Sequence, residues 1–499
     1  MNLLVCVAAA LPMAATYLLL QPARRAGASR VCTVALAIGI GLGIGSCTFF
    51  LALVLFDGRR AGVIGIDAAL LVLALAVWRR SEALPAAPRA PLLSARAAGL
   101  VSARAAGLVG ARAAGLSSSE RVLAVALVVA AAAGATSFLA NTVDAPHGRW
   151  DAWVTWNMRA RWLADGYPAW LDAFARPNMQ RDYPLLLPCT VARLWVYADA
   201  KDPVVPAVVA AAYGTAVVLL LYAGLAALRG RAQALIGALC LLGTPLFLRL
   251  VPWQYADAPL AFNLLAAVTL LSLYDRDPPR GRTMLVWAGL ATGLVAWTKN
   301  EGMMIALGIV VVRGALMIVR RSPGMRSSGW FAAGLLPPAA SVLYFKLTLA
   351  PRSPQLTLPM EAMIGKLADP GRYVAVLRSA AYELARGTGP VLLALVVYAF
   401  LLGRTPDRRA RGMAAAIVPI IGFATLSYGY AYVTTRAPLP WMLGNSMERL
   451  ILQIWPSVLL AVLLYVASPS ERDAPAPMRA PAGRQPAKPA RRRGRAGRR

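Results

Sequence analysis

The sequence predicts an all-α polytopic membrane protein, and three observations carry that prediction. Of 499 residues, 59% are hydrophobic and only 15% charged, against about 25% charged in an ordinary soluble domain. Runs of about 20 apolar residues, enough to cross roughly 30 Å of hydrocarbon, recur from one end to the other. Arginine-rich connections alternate with connections poor in basic residues, which is the pattern that orients a multi-pass chain.

Residues 1–20 lack the basic start of a cleaved leader and read as a first span. After Arg24, Arg25 and Arg30 come spans at 31–56 and 63–77. Segment 79–120 is low in complexity and carries an imperfect repeat beginning at Ala95, Ala103 and Ala111. Repeats this short cannot bury a core, so the segment reads as a loose linker, and its arginines place it in the cytoplasm. Further spans follow at 122–139, 204–228, 232–248, 260–274, 284–298, 303–319, 330–349, 391–402, 414–432 and 450–466.

The path has about thirteen transmembrane helices, with the N-terminus outside and the C-terminus cytoplasmic. Arg229, Arg231, Arg276, Arg280, Arg320, Arg321, Arg408 and Arg409 then fall inside, and Arg59–Arg60 is the one clear misfit. The chain divides into accessory helices 1–78, the linker 79–120, a transmembrane core 121–467 with large outer loops 141–203 and 350–388, and a basic tail 468–499. That tail, built of Pro, Ala, Gly and Arg, is expected to be disordered and drawn to anionic lipid.

The net charge of +30 therefore reflects membrane topology, and no basic soluble module is left to bind nucleic acid. Cys6, Cys32, Cys47, Cys189 and Cys240 lie mostly in apolar runs and show no metal or disulfide spacing. A single histidine, His147, excludes a His-cluster metal site, while a carboxylate site for a hard divalent ion stays open.

The unusual polar residues sort onto the outer side of this path: Asp144, Asp151, Arg159, Arg161, Asp182, Asp257, Lys299, Glu301, Arg436, Glu448 and Arg449. Avoidance of hydrocarbon explains charges at span ends but would populate both faces. The stretch from Trp150 to Gly166 combines Asp151 with Trp153, Trp156, Arg159 and Arg161. As an α-helix, Asp151–Ala164 would put Asp151, Thr155 and Met158 on one face with the arginines flanking it. An acid there can act as general base and the arginines can hold a phosphate; the bland alternative is an interfacial aromatic anchor.

Asp182 and Tyr183, just before Pro184 and Pro188, suit a turn as well as a site. Asp257, Lys299 and Glu301 sit at span ends where snorkelling alone accounts for a lysine. In 350–388, Tyr373, Leu377, Ala381 and Leu384 recur at helical spacing, which predicts an amphipathic interfacial helix. Arg436 and Arg449 lie in the last outer segment, where Arg449 is a candidate for gripping a phosphate.

Five motifs occur in order: Trp150–Arg161 around Asp151, Asp182–Pro188, Tyr255–Ala261 around Asp257, Lys299–Gly302, and Arg449–Pro456. Together they resemble bacterial membrane glycosyltransferases of the GT-C superfamily, and are most similar to the protein mannosyltransferase and aminoarabinose transferase group. The resemblance covers residues 121–467. It implies a GT-C-like core in the bacterial inner membrane, whose first core loop carries interfacial helices. It also implies a polyprenyl-phosphate-linked sugar as donor, an envelope lipid, glycan or protein as acceptor, inversion at the anomeric carbon, and no cofactor.

By position Asp151 matches the group's general base, and Asp182 is the second catalytic candidate. Trp153, Trp156, Arg159, Arg161, Tyr183, Asp257, Lys299, Glu301, Arg436 and Arg449 are then candidates for substrate binding. Two positions depart from the pattern: Asp151 stands alone where the group often carries adjacent acids, and Arg159 stands where it carries a lysine. A lipid-linked donor needs no nucleotide-binding domain, and neither GxGxxG nor a Walker A motif is present. A transporter or flippase of lipid-linked glycans, or a non-catalytic binder of them, are the alternatives.

Overall fold

A computed structural model describes residues 3–83, 117–175, 180–279, 281–319, 325–352 and 358–472. The repeat at Ala95, Ala103 and Ala111, with Arg280, Arg320, Arg321 and the tail from 473, lies outside the described residues.

Among the described residues every regular element is helical. The N-terminal group comprises α1 (Leu3–Leu19), α2 (Gln21–Arg25), α3 (Arg30–Phe56) and α4 (Arg60–Ala83). After α5 (Ser118–Asp144) comes a long excursion with a π-helical turn at Ala152–Trp156, then α6 (Asn157–Ala164), α7 (Asp172–Ala175) and α8 (Leu186–Ala198). The bundle continues through α9 (Val204–Leu228), α10 (Arg231–Leu242), α11 (Pro245–Leu250), α12 (Asp257–Arg276), α13 (Arg282–Thr298), α14 (Asn300–Val319) and α15 (Met325–Tyr344), which ends in a π-helical turn at Phe345–Leu349. It closes with α16 (Met360–Leu367), α17 (Pro370–Leu402), α18 (Arg408–Thr434), α19 (Leu439–Tyr465) and α20 (Pro469–Arg472).

The helix starts follow local chemistry. The Ser29 hydroxyl accepts from Cys32 N–H at 3.1 Å and caps α3, Ser117 and Glu120 form a reciprocal capping box on α5, and Asp407 caps α18. Among the described residues ten helices are long and apolar enough to cross a membrane, or eleven if Arg231–Leu242 and Pro245–Trp253, bent by 57°, make one span. The chain is thus an all-α, multi-pass membrane protein. The predicted crossings at 1–20 and 284–298 correspond to helices of 17 residues each.

Packing centres on α12, which is buried along most of its length against α9, α13 and α19. By contrast α5 has no buried residue, so its apolar surface faces outward on nearly all sides, as a lipid-exposed helix does. The closest crossing joins α13 and α15. A methyl group at Gly289 would lie 1.9 Å from the Phe331 carbonyl oxygen, and one at Gly334 would lie 1.8 Å from that of Val286, so only glycine permits this approach.

Three expectations change in the structure. The stripe at Tyr373, Leu377, Ala381 and Leu384 is not a separate interfacial helix: α17 runs unbroken for 33 residues through Gly387, Gly389 and Pro390 into the following span. Within the 141–203 excursion, α8 does not lie across a surface. All its residues but Val196 are buried, against α3, α6 and α1. Ser46, whose hydroxyl donates to the Leu185 carbonyl at 3.5 Å, sits ten residues in from the end of α3, a depth of about 15 Å. So α8 dips into the bundle and returns, because its apolar face buries there and Arg193 finds a partner in Asp67. Finally, order extends past Ser468. Arg229 holds Glu471 at 2.8 Å, and Ser468 and Glu471 cap each other across α20.

Candidate functional site

At the end of the bundle where α12, α14 and α19 meet the first excursion, the separated motifs converge. Asp257 opens α12, where the helix dipole favours a carboxylate. Lys299 is the extended residue between α13 and α14. Arg449 lies ten residues into α19, and Gln453 follows one turn later on the same face. One Asp257 oxygen accepts from Lys299 Nζ at 2.9 Å and from Gln453 Nε2 at 2.6 Å, the other from Arg449 Nε at 2.9 Å. Tyr428 of α18 donates to Gln453 at 2.7 Å and fixes its amide.

Arg449 reaches across to the excursion. Its Nη1 donates to Asp151 Oδ2 at 2.6 Å, and its guanidinium lies 4.5 Å from the Tyr255 ring centroid. Asp257 is 2% exposed, whereas the Asp151 side chain is 13% exposed and its second oxygen has no protein partner among the described residues. Tyr255 Oη accepts the Asp151 backbone N–H at 3.1 Å. Burial pushes the Tyr255 hydroxyl up to about 12, so it stays protonated at neutral pH.

A second branch runs through Tyr183 and Asp182. Tyr183 donates to Glu301 Oε1 at 3.2 Å, and Lys299 sits 3.5 Å from the same oxygen. Burial, reinforced by the Glu301 charge, raises the Tyr183 hydroxyl well above its ordinary value and keeps it a donor. Asp182 accepts from Asn300 at 2.6 Å, and Lys346 bonds the Asp182 carbonyl and, at 2.7 Å, the Asn300 side chain. Four carboxylates (Asp151, Asp182, Asp257, Glu301) thus face three cations (Lys299, Lys346, Arg449). Glu301 Oε2 and Trp156 Nε1 are buried and have no hydrogen-bond partner among the described residues. Such atoms carry a desolvation penalty of about 1–3 kcal/mol until a hydrogen-bonding group reaches them.

The remaining predicted residues separate by role. Arg159 is fully buried and donates to the carbonyls of Tyr183 at 2.9 Å, Gln180 at 3.3 Å and Arg181 at 3.4 Å. It shapes the loop that presents Asp182 and Tyr183 and does not face the mouth of the site. Burial lowers its guanidinium to about 10. Arg161 is exposed, as is Arg436 in the turn between α18 and α19, and Trp153 is half-exposed.

The shared face of Asp151, Thr155 and Met158 does not form. A π-helical turn at Ala152–Trp156 shifts the register, so that Thr155 and Trp156 point inward while Asp151 stays at the edge. Gln453, Tyr428, Lys346 and Arg249 were missed. Gln453 was legible as a polar residue four positions after Arg449 in an apolar run, and Lys346 as the single charge in the run 330–349; Tyr428 carries no local signal.

Beside Arg449, Glu448 gathers Arg386 at 2.8 Å and Arg249, both partly exposed, with Glu383 completing the group. Among the described residues no three of His, Cys, Asp and Glu converge as metal ligands. Comparison with protein-family models, curated proteins and solved structures gives no match for this chain.

Proposed function

We propose that the chain is an integral-membrane glycosyltransferase of about thirteen spans, with accessory helices at 1–78 and a GT-C-like core at 121–467. It moves a sugar from a polyprenyl-phosphate carrier to an envelope acceptor at the extracytoplasmic face of the bacterial inner membrane, with the N-terminus outside and the C-terminus cytoplasmic. The observation that supports it best is the arrangement of Asp151. One oxygen is fixed by an arginine that Asp257 already neutralises, and the other is open at the polar end of an apolar bundle.

In this reading the open oxygen of Asp151 takes the acceptor hydroxyl proton while the acceptor oxygen attacks the anomeric carbon and the bond to the carrier phosphate breaks, with inversion. Arg449 is occupied by two carboxylates and orients the base. The partly exposed Arg249 and Arg386 take the leaving phosphate, a pairing that guanidinium groups favour. Glu301, a partly exposed carboxylate whose Oε2 has no partner among the described residues, offers an acceptor to a sugar hydroxyl.

The test is Asp151→Asn in the full chain, with transfer from a polyprenyl-phosphate sugar measured alongside the envelope glycan profile. The variant is expected to fold and to lose transfer by about 10²–10⁴-fold. Full transfer with an unchanged glycan profile would remove Asp151 from catalysis. A second reading, a transporter of lipid-linked glycans, draws on the 57° break at α10–α11 and the dipping α8, because transporters build sites at interrupted helices. Movement of labelled lipid-linked sugar across vesicles without any transfer product would favour it.

A further inference from the structure

Arg59 and Arg60 are the basic pair that the positive-inside pattern leaves unexplained, and they join α3 to α4 at the same end of the bundle as Asp151. There they line a cleft of about 610 Å³ whose other walls come from the ends of α6 and α8. Asp165, on this cleft, is fourteen residues beyond Asp151, about 20 Å at helical rise, so the cleft is separate from the candidate site.

Both signs of charge face the opening. Arg60 donates to the Tyr197 carbonyl at 2.8 Å and lies 4.0 Å from Asp199, and Lys201 pairs with Asp165. Arg59 and Asp57 are exposed and have no side-chain partner among the described residues. In the last turns of α3 leading to Asp57, the apolar side chains of Leu51, Leu55 and Phe56 are exposed.

We propose that this cleft binds a phospholipid headgroup carrying both a phosphate and a primary amine, phosphoethanolamine being the simplest. The phosphate pairs with Arg59 and Arg60, the ammonium with the carboxylates of Asp57 and Asp199, and the acyl chains lie along Leu51, Leu55 and Phe56. Guanidinium groups recognise phosphate through directed N–H bonds, and an ammonium with three N–H donors suits carboxylates as a trimethylated one does not. The volume lies within the range of small-molecule sites, and the exposed apolar side chains in the last turns of α3 point to a lipid rather than a soluble phosphate. The leaflet in contact with the cleft follows from the orientation given under Proposed function, whereas the binding itself does not depend on transfer.

The test is native mass spectrometry of the full chain in detergent with phosphatidylethanolamine, phosphatidylcholine and phosphatidylglycerol of identical acyl chains. Phosphatidylethanolamine is expected to be retained about tenfold better than the other two. Arg59→Ala should weaken that retention by about tenfold and Arg59→Lys should restore part of it, because Arg59 is exposed and its loss leaves the fold intact. Asp199→Asn should reduce the preference over phosphatidylglycerol. Asp151→Asn should bind as wild type does, which separates failure of this site from failure of the transferase reading. Equal retention of the three lipids, or unchanged retention in Arg59→Ala, overturns the proposal. Displacement by chain-free glycerophosphoethanolamine at equal concentration overturns the lipid assignment.

Discussion

Among the described residues, the two ion-pair clusters with the most deeply buried carboxylates, around Asp67 and around Asp257, differ in what they leave open. The first joins Asp67 of α4 to Arg193 of α8, both 2% exposed. Arg193 donates to Asp67 at 2.6 and 3.0 Å and to the Ala8 carbonyl at 2.7 Å, and Asp67 also accepts from Tyr197 at 2.7 Å and Thr48 at 3.2 Å. Every polar atom there is satisfied by protein. The second, around Asp257, is as deeply buried at its centre but ends in the open oxygen of Asp151 and the unpaired Glu301 Oε2. A closed charge cluster fixes helices to one another, whereas the cluster with unmatched atoms is the one to which the proposed function assigns a ligand.

The largest expected effect tests the closed cluster. Arg193→Met strands the Asp67 carboxylate among apolar helices and should lower stability by about 3–5 kcal/mol, read from unfolding in detergent. The double variant Asp67→Leu/Arg193→Met should recover most of that loss and keep activity. The corresponding removal of Asp257 and Arg449 should recover stability without activity. If both double variants remain active, the distinction between lock and site disappears.

Next in size, Gln453→Leu leaves Tyr428 without its acceptor and Asp257 short of one donor, and should destabilise by about 1–3 kcal/mol. Asp151→Asn keeps an acceptor oxygen for Arg449, so its stability change should be about 1 kcal/mol while transfer collapses. A stability loss as large as that of Arg193→Met would instead make Asp151 a structural residue. The smallest effect belongs to Arg161→Ala, which should stay within about 0.5 kcal/mol and leave transfer unchanged, since Arg161 is exposed. A lost activity there would return Arg161 to the site.

Much of this difference was readable in the chain. Asp67 and Arg193 are charges inside apolar runs, and such residues in membrane helices have partners. Their pairing was not readable, because 126 residues separate them and only the dip of α8 brings them together. Arg159 shows the opposite failure. As a cation in an aromatic, polar stretch it resembles a ligand-binding residue, yet three loop carbonyls claim its guanidinium.

What the sequence by itself determined is the helical, multi-pass class and the set of polar motifs gathered toward one end, since apolar length and arginine distribution are local properties. Tertiary structure alone decided which of those residues meet. Arg449 joins Asp151 and Asp257 across 298 and 192 residues, a π-helical turn sets aside the expected face beside Asp151, and α8 enters the bundle although its loop reads as a surface excursion. The physical reason is that a buried charge is stable only where a counter-charge and hydrogen-bond partners converge on it. Packing, not spacing along the chain, supplies them.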